Sequence, residues 1–162
     1  MTVAGLRLAH RANAVAQLHG ETARKMWAGV EGAAPIIAIT NGVHVGTWQD
    51  PRVPSALSSD GALRATRREL KEELFAEVAR RTGVRMDPGA LTIGFARRAA
   101  TYKRPDLLLR EPQRVARLLK EGGVQVLFAG KAHPADQEGK AVIANLVRTI
   151  RQWPESIAFL EN

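Results

Sequence analysis

The chain has 162 residues, 45% of them apolar and 25% charged, with a formal net charge of +8 and no cysteine. These fractions exclude intrinsic disorder and a collagen-like structure. The lack of cysteine excludes a disulfide scaffold, a Cys-ligated zinc site, an iron–sulfur cluster and a thiol nucleophile. No apolar run reaches the length of a membrane span and no signal-peptide core opens the chain, so a soluble cytoplasmic protein without a membrane partner is expected.

The chain opens on a stretch, Val3 to Trp27, in which Val3, Leu6, Ala12, Val15, Leu18 and Met26 recur near a 3.6-residue period. This predicts one long helix, ended by Gly29, Gly32 and Pro35. Ile36 to Ile39 is a short apolar run and predicts a buried strand or an extended segment, and Thr40 to Trp48 reads as a loop that Pro51 and Pro54 extend. Ser58-Ser59-Asp60-Gly61 offers a helix start, and Leu63 to Arg81 continues as a charge-laced helix ended by Gly83.

After Asp87-Pro88-Gly89 the period changes to that of alternating strands and helices. Leu91–Ala96, Val124–Ala129 and Ile157–Leu160 predict strands. Between them lie a helix over Leu107–Glu121 that contains or restarts at Pro112, and another over roughly Ala135–Gln152. Alternation of this kind with short connections predicts a parallel α/β sheet, three strands wide and preceded by the long helix. Three strands with open edges make a poor independent domain, so the chain reads as a fragment of a larger protein.

The +8 charge admits two readings. Eighteen arginines against six lysines carry it, and many lie beside acids, as in Arg64 to Glu73, which is the pattern of a solvated helix face. A basic nucleic-acid-binding module is one reading, although aromatic stacking platforms are scarce. A small-anion site is the other, and the location of the cations favours it. Ligands of parallel α/β sheets bind at the carboxyl ends of the strands. The loop after Leu91–Ala96 carries Arg97, Arg98, Lys103 and Arg104, and the loop after Val124–Ala129 reads Gly130-Lys131-Ala132-His133-Pro134. Cations beside a strand end and a helix start suit a phosphate. The bland alternatives are a solvated basic loop and an ordinary strand-to-helix turn. The four histidines, His10, His19, His44 and His133, have no zinc-site spacing, so no metal is expected.

Four ordered blocks then make the sequence recognisable: His10 to Glu21, Thr40-Asn41-Gly42-Val43 through Trp48, Arg97-Arg98 through Tyr102-Lys103-Arg104, and Gly130-Lys131-Ala132-His133-Pro134 followed by Phe159 to Asn162. Together the sequence resembles the α-glucan (glycogen/starch) phosphorylases. These are pyridoxal-phosphate-dependent glycosyltransferases in which two Rossmann-like domains of the GT-B type face each other across a cleft. Ala100-Thr101 and His44 to Thr47 match the family's shorter bacterial branch. The resemblance implies phosphorolysis of the terminal α-1,4-linked glucosyl unit of a glucan by orthophosphate, releasing glucose 1-phosphate.

By the same resemblance, Arg98 holds the substrate phosphate, Lys103 neutralises the pair of substrate and cofactor phosphates, and Arg97 lies beside the cofactor phosphate. His10 and Asn41 contact the glucosyl unit, and Trp48 packs in the cofactor pocket. Gly130, Lys131 and His133 are weaker candidates. The implied organisation is an N-terminal domain ending over residues 1–40, a crossover and helix over 41–90, and the first half of the cofactor domain over 91–162. The family's Schiff-base lysine matches none of the six lysines here, so the chain alone is expected to be inactive and to bind pyridoxal 5′-phosphate weakly or not at all. A synthase-like glycosyltransferase using a nucleotide sugar is the alternative within the same fold.

Overall fold

The computed structural model describes residues 1–161. The chain divides into two compact units, Met1–Pro51 and a second beginning at Arg52.

The first unit differs from the sequence expectation at its start. In place of one helix from Val3 to Trp27 there are two, α1 (Thr2–Leu8) and α2 (Gln17–Met26), separated by a short strand β1 (Ala12–Ala14). The helical period of the apolar residues persists through this break, but the backbone turns extended at Ala9. Residues Ala12–Ala14 pair in parallel with β2 (Ile36–Ala38), Ala12 opposite Ile36 and Ala14 opposite Ala38. A ladder to so distant a segment is invisible to local periodicity, and here it outweighs a weak helical preference. The connecting helix packs tightly on the ladder at Gly20, where a Cβ would come within 2.9 Å of the Ala38 Cβ. Arg24 fixes the same approach by donating to the Ile36 carbonyl at 3.0 Å. The expected loop after β2 contains one helical turn, α3 (Val45–Trp48), whose start is tied by a 2.8 Å hydrogen bond between His44 Nδ1 and Thr47 Oγ1.

The second unit follows the sequence closely. It begins with a short helix α4 (Arg52–Ala56), in which Pro54 sits early enough that no helical hydrogen bond is lost. The long α5 (Asp60–Thr82) starts at Ser59, whose hydroxyl accepts from the Ala62 N–H, and stops at Gly83, which is left-handed at φ 77°. Arg52 joins the two helices by donating to the Glu69 and Glu73 carboxylates. Strands β3 (Leu91–Ala96), β4 (Val124–Gly130) and β5 (Ile157–Glu161) form a parallel sheet in the order β3-β4-β5. Two 3-10 turns, Thr101–Lys103 and Leu107–Arg110, and the helix α6 (Pro112–Lys120) connect β3 to β4, so the expected helix does restart at Pro112. Helix α7 (Gln137–Ile150) connects β4 to β5, with Asp136 as its cap.

β4 is buried from Val124 to Phe128, which explains its unbroken apolar run apart from Gln125. Val126, Phe128 and Ile157 pack on one face against Val115 and Leu119 of α6 and Leu146 and Ile150 of α7. Leu127, Ala158 and Leu160 pack on the other against Phe75 and Val78 of α5 and against Met86. Among the described residues Gln125 is the one buried polar side chain, and its amide is fully engaged: it accepts from the Asp87 N–H and donates to the Asp87 carbonyl and to Thr92 Oγ1. It thereby ties the turn before β3 to the central strand. The architecture is α/β with a three-stranded parallel sheet, and the expected single leading helix is replaced by α1, β1 and α2.

Candidate functional site

The backbone hydrogen bonds between β3 and β4 continue past the ends of the strands. Arg97 N–H donates to the Ala129 carbonyl and Ala99 N–H to the Lys131 carbonyl, both at 3.0 Å. The two loops therefore leave the sheet as a joined pair. Gly130 makes this possible. Its φ is 153°, and a Cβ at that position would overlap the Arg97 carbonyl oxygen. On the far side, Gly139 in the first turn of α7 lets the Ala99 carbonyl come close, where a Cβ would lie 2.9 Å from that oxygen. Ala99 is buried between these contacts while the flanking Arg97 and Arg98 side chains are exposed.

Arg97, Arg98, Lys131 and His133 line one open cavity of about 580 Å³ at the carboxyl ends of β3 and β4, together with Gly130 and Pro134. A second cavity of about 530 Å³ is lined by Arg97, Tyr102, Lys103 and Arg104 with Gly94 and Phe95. Arg97 is common to both. Two spaces of this size lined by cationic side chains can each take a phosphate-sized anion. Lys103 and Arg98 thus line different cavities, with Arg97 between them.

Tyr102 connects the two sets of cations, and sequence reasoning passed over it as a site residue although it stands inside the Arg97–Arg104 motif. The Lys103 ammonium lies 4.8 Å from the centre of its ring. The neighbouring Arg98 guanidinium, reinforced by the charge of Lys103, holds the phenol below its ordinary pKa. The following Arg104 adopts a left-handed conformation at φ 47°, uncommon for a residue with a Cβ. This sharp reversal ends the turn that carries Tyr102 and Lys103.

His133 lines the first cavity with its ring tied to the backbone. Its Nδ1 accepts from the Ala135 N–H at 3.1 Å, and its carbonyl accepts from the Asp136 N–H at 2.9 Å. Asp136 in turn caps α7 by accepting from the Gly139 N–H.

The remaining predicted residues, His10, Asn41 and Trp48, belong to the first unit. His10 is exposed between α1 and β1. Asn41 follows β2 and is fixed through its backbone, its N–H donating to the Val15 carbonyl at 3.1 Å, with the side chain exposed. Trp48 ends α3 and is 79% exposed. Asn162, the last residue of the fourth block, lies outside the described residues. Among the described residues no cluster of His, Asp and Glu has the arrangement of a metal site, and no helix is long and apolar enough to cross a membrane.

No family model matches the sequence. Individual proteins do. The glycogen phosphorylase of Mycobacterium tuberculosis is 37% identical over 98% of this chain. The maltodextrin phosphorylase of Thermococcus litoralis is 31% identical over 96% of it. An uncharacterized protein of Methanocaldococcus jannaschii, MJ1631, is 44% identical over 83% of it. The chain spans about a quarter of each relative, 24%, 24% and 26% in the same order. Over nearly its whole length it resembles a segment of the glycogen and maltodextrin phosphorylases.

Proposed function

We propose that this chain, related in sequence to about a quarter of the glycogen and maltodextrin phosphorylases, forms the phosphate-binding side of an α-glucan phosphorylase. Its substrates are an α-1,4-glucan and orthophosphate, and its product is glucose 1-phosphate with the configuration retained. The observation that carries this reading is the convergence of Arg97, Arg98 and Lys131 on one strand-end cavity, with Arg97 shared by a second that also holds Lys103.

The chemistry follows from charge. An attacking orthophosphate must be held at the anomeric carbon while the glycosidic oxygen departs and the glucosyl unit develops oxocarbenium character. Arg98 and Lys131 bind and orient the phosphate. Their positive charge offsets the repulsion that a second phosphate nearby would impose, and Arg97 stands where it can interact with both.

The second cavity suits the phosphate group of pyridoxal 5′-phosphate, since guanidinium, ammonium and phenol hydroxyl are all groups that bind phosphate oxygens. Arg97 and Lys103 would hold that group. When bound, the cofactor supplies a phosphate that gives and takes the proton at the substrate phosphate. His10 and Asn41 orient the glucosyl hydroxyls. In this reading residues 1–40 close the glucan-side domain of a two-domain GT-B enzyme, 41–90 cross over, and 91 onward begin the cofactor domain. The enzyme works in the cytoplasm without nucleic acid or membrane, and the 162-residue chain by itself turns over no glucan and forms no reducible pyridoxal–lysine adduct.

Tyr102 is the only tyrosine in the chain, so phenolate absorbance reads this site alone. Arg98 and Lys103 favour the phenolate, so its titration midpoint lies below that of free tyrosine. Orthophosphate, compared with sodium chloride at equal ionic strength, should raise the midpoint by neutralising those cations. Arg98→Ala should raise it without phosphate and weaken the phosphate response. A midpoint indifferent to phosphate would count against a phosphate site.

A further inference from the structure

We infer that His133 is a phosphate-contacting residue of the first cavity, acting as an Nε2–H donor whose ring the backbone orients through Nδ1; this rests on the phosphate reading given above. Neutral imidazole has one donor nitrogen and one acceptor nitrogen. The Ala135 N–H occupies Nδ1 as a donor, at 3.1 Å. The proton of the neutral ring therefore resides on Nε2, the nitrogen that this bond leaves free. The side chain is exposed on the wall of the cavity that Arg97, Arg98 and Lys131 also line.

The histidine backbone is held as firmly as its ring. Its carbonyl accepts from Asp136 N–H, and Asp136 is itself fixed to the first turn of α7 through the Gly139 N–H. Three residues upstream, Gly130 is pinned beside the Arg97 carbonyl. The loop thus presents His133 at a set position relative to the arginines. The cations supply attraction that is nearly indifferent to direction on the lysine side, whereas a single N–H of fixed orientation selects where one phosphate oxygen lies.

Side-chain isosteres separate the two nitrogens. His133→Gln puts an amide nitrogen near the Nε2 position, His133→Asn puts an amide oxygen near Nδ1 without reaching further, and His133→Ala removes both groups. On the full 162-residue chain, titrated with inorganic phosphate and, in a separate arm, with pyridoxal 5′-phosphate, His133→Ala and His133→Asn should weaken binding about tenfold, the scale of one hydrogen bond to a charged group. His133→Gln should stay within about threefold of the parent on the same scale. The arm that responds identifies which phosphate is held. Two-bond 1H–15N spectra of the parent should show the proton on Nε2, with that resonance moving as phosphate is added. Equal binding by all variants, loss with His133→Gln but not with His133→Asn, or an Nε2 signal unmoved at saturating phosphate overturns the inference and leaves the phosphate site standing. A parent chain that binds neither probe overturns both.

Discussion

The two units bury their apolar residues very differently. The second encloses a sheet between helices on both faces, and its core contains Phe75, Val78, Val126, Phe128, Leu146, Ile150 and Ile157. The first buries Leu6, Ala14, Ala23 and Ala34, mostly single methyl groups, and exposes Leu8, Val15, Leu18, Met26, Ile37, Ile39, Val43, Val45 and Trp48. At roughly 1.5–3 kcal/mol for each large side chain removed from water, the second unit has a hydrophobic driving force that the first lacks. The cations of the candidate site stand on the well-packed unit, and the three residues that the resemblance assigns to sugar and cofactor stand on the other. A rigid scaffold suits charges that must be held apart against their own repulsion.

Hydrogen exchange on the intact chain offers the largest contrast. The Val126 N–H, bonded to the Ser156 carbonyl in the middle of the sheet, should exchange at least about a thousandfold more slowly than the Ile39 N–H, bonded to the Ala14 carbonyl. Equal protection would erase the distinction. Truncation gives the next effect: Phe128→Ala, at a position 2% exposed, should cost about 3–5 kcal/mol in denaturant unfolding, whereas Ile37→Ala, at 49% exposure, should stay within about 0.5 kcal/mol. Gly130→Ala sharpens the link between packing and site. A Cβ against the Arg97 carbonyl at positive φ should cost about 1–3 kcal/mol and weaken phosphate binding together with stability. The smallest effect is expected from Ser59→Ala, which removes the cap of α5 and should cost about 1 kcal/mol while leaving phosphate binding unchanged.

Legibility followed the same division. In the second unit local signals agree with the final structure: Ser59 and Gly83 bound α5, Pro112 restarts α6, and the apolar run 124–128 lies in a strand covered on both faces. In the first, the apolar spacing from Val3 to Met26 fits one helix, and what breaks it is pairing of Ala12–Ala14 with Ile36–Ala38. A contact between distant segments leaves no local period to read. For the site, the rule that ligands meet strand ends located Arg97, Arg98, Lys131 and His133 together. The distribution of Arg98 and Lys103 between two cavities, and Tyr102 bridging their charges, depend on the 3-10 turn and the left-handed Arg104, which sequence alone does not announce.

Gly130 and Gly139 both approach the Arg97–Ala99 backbone closely, one at the Arg97 carbonyl and the other at that of Ala99. The entropy of ordering this loop is therefore met when the chain folds, before any ligand arrives. Binding then orders exposed cationic side chains on a backbone already in place, so affinity is reduced by their lost rotamer freedom and not by ordering of the loop.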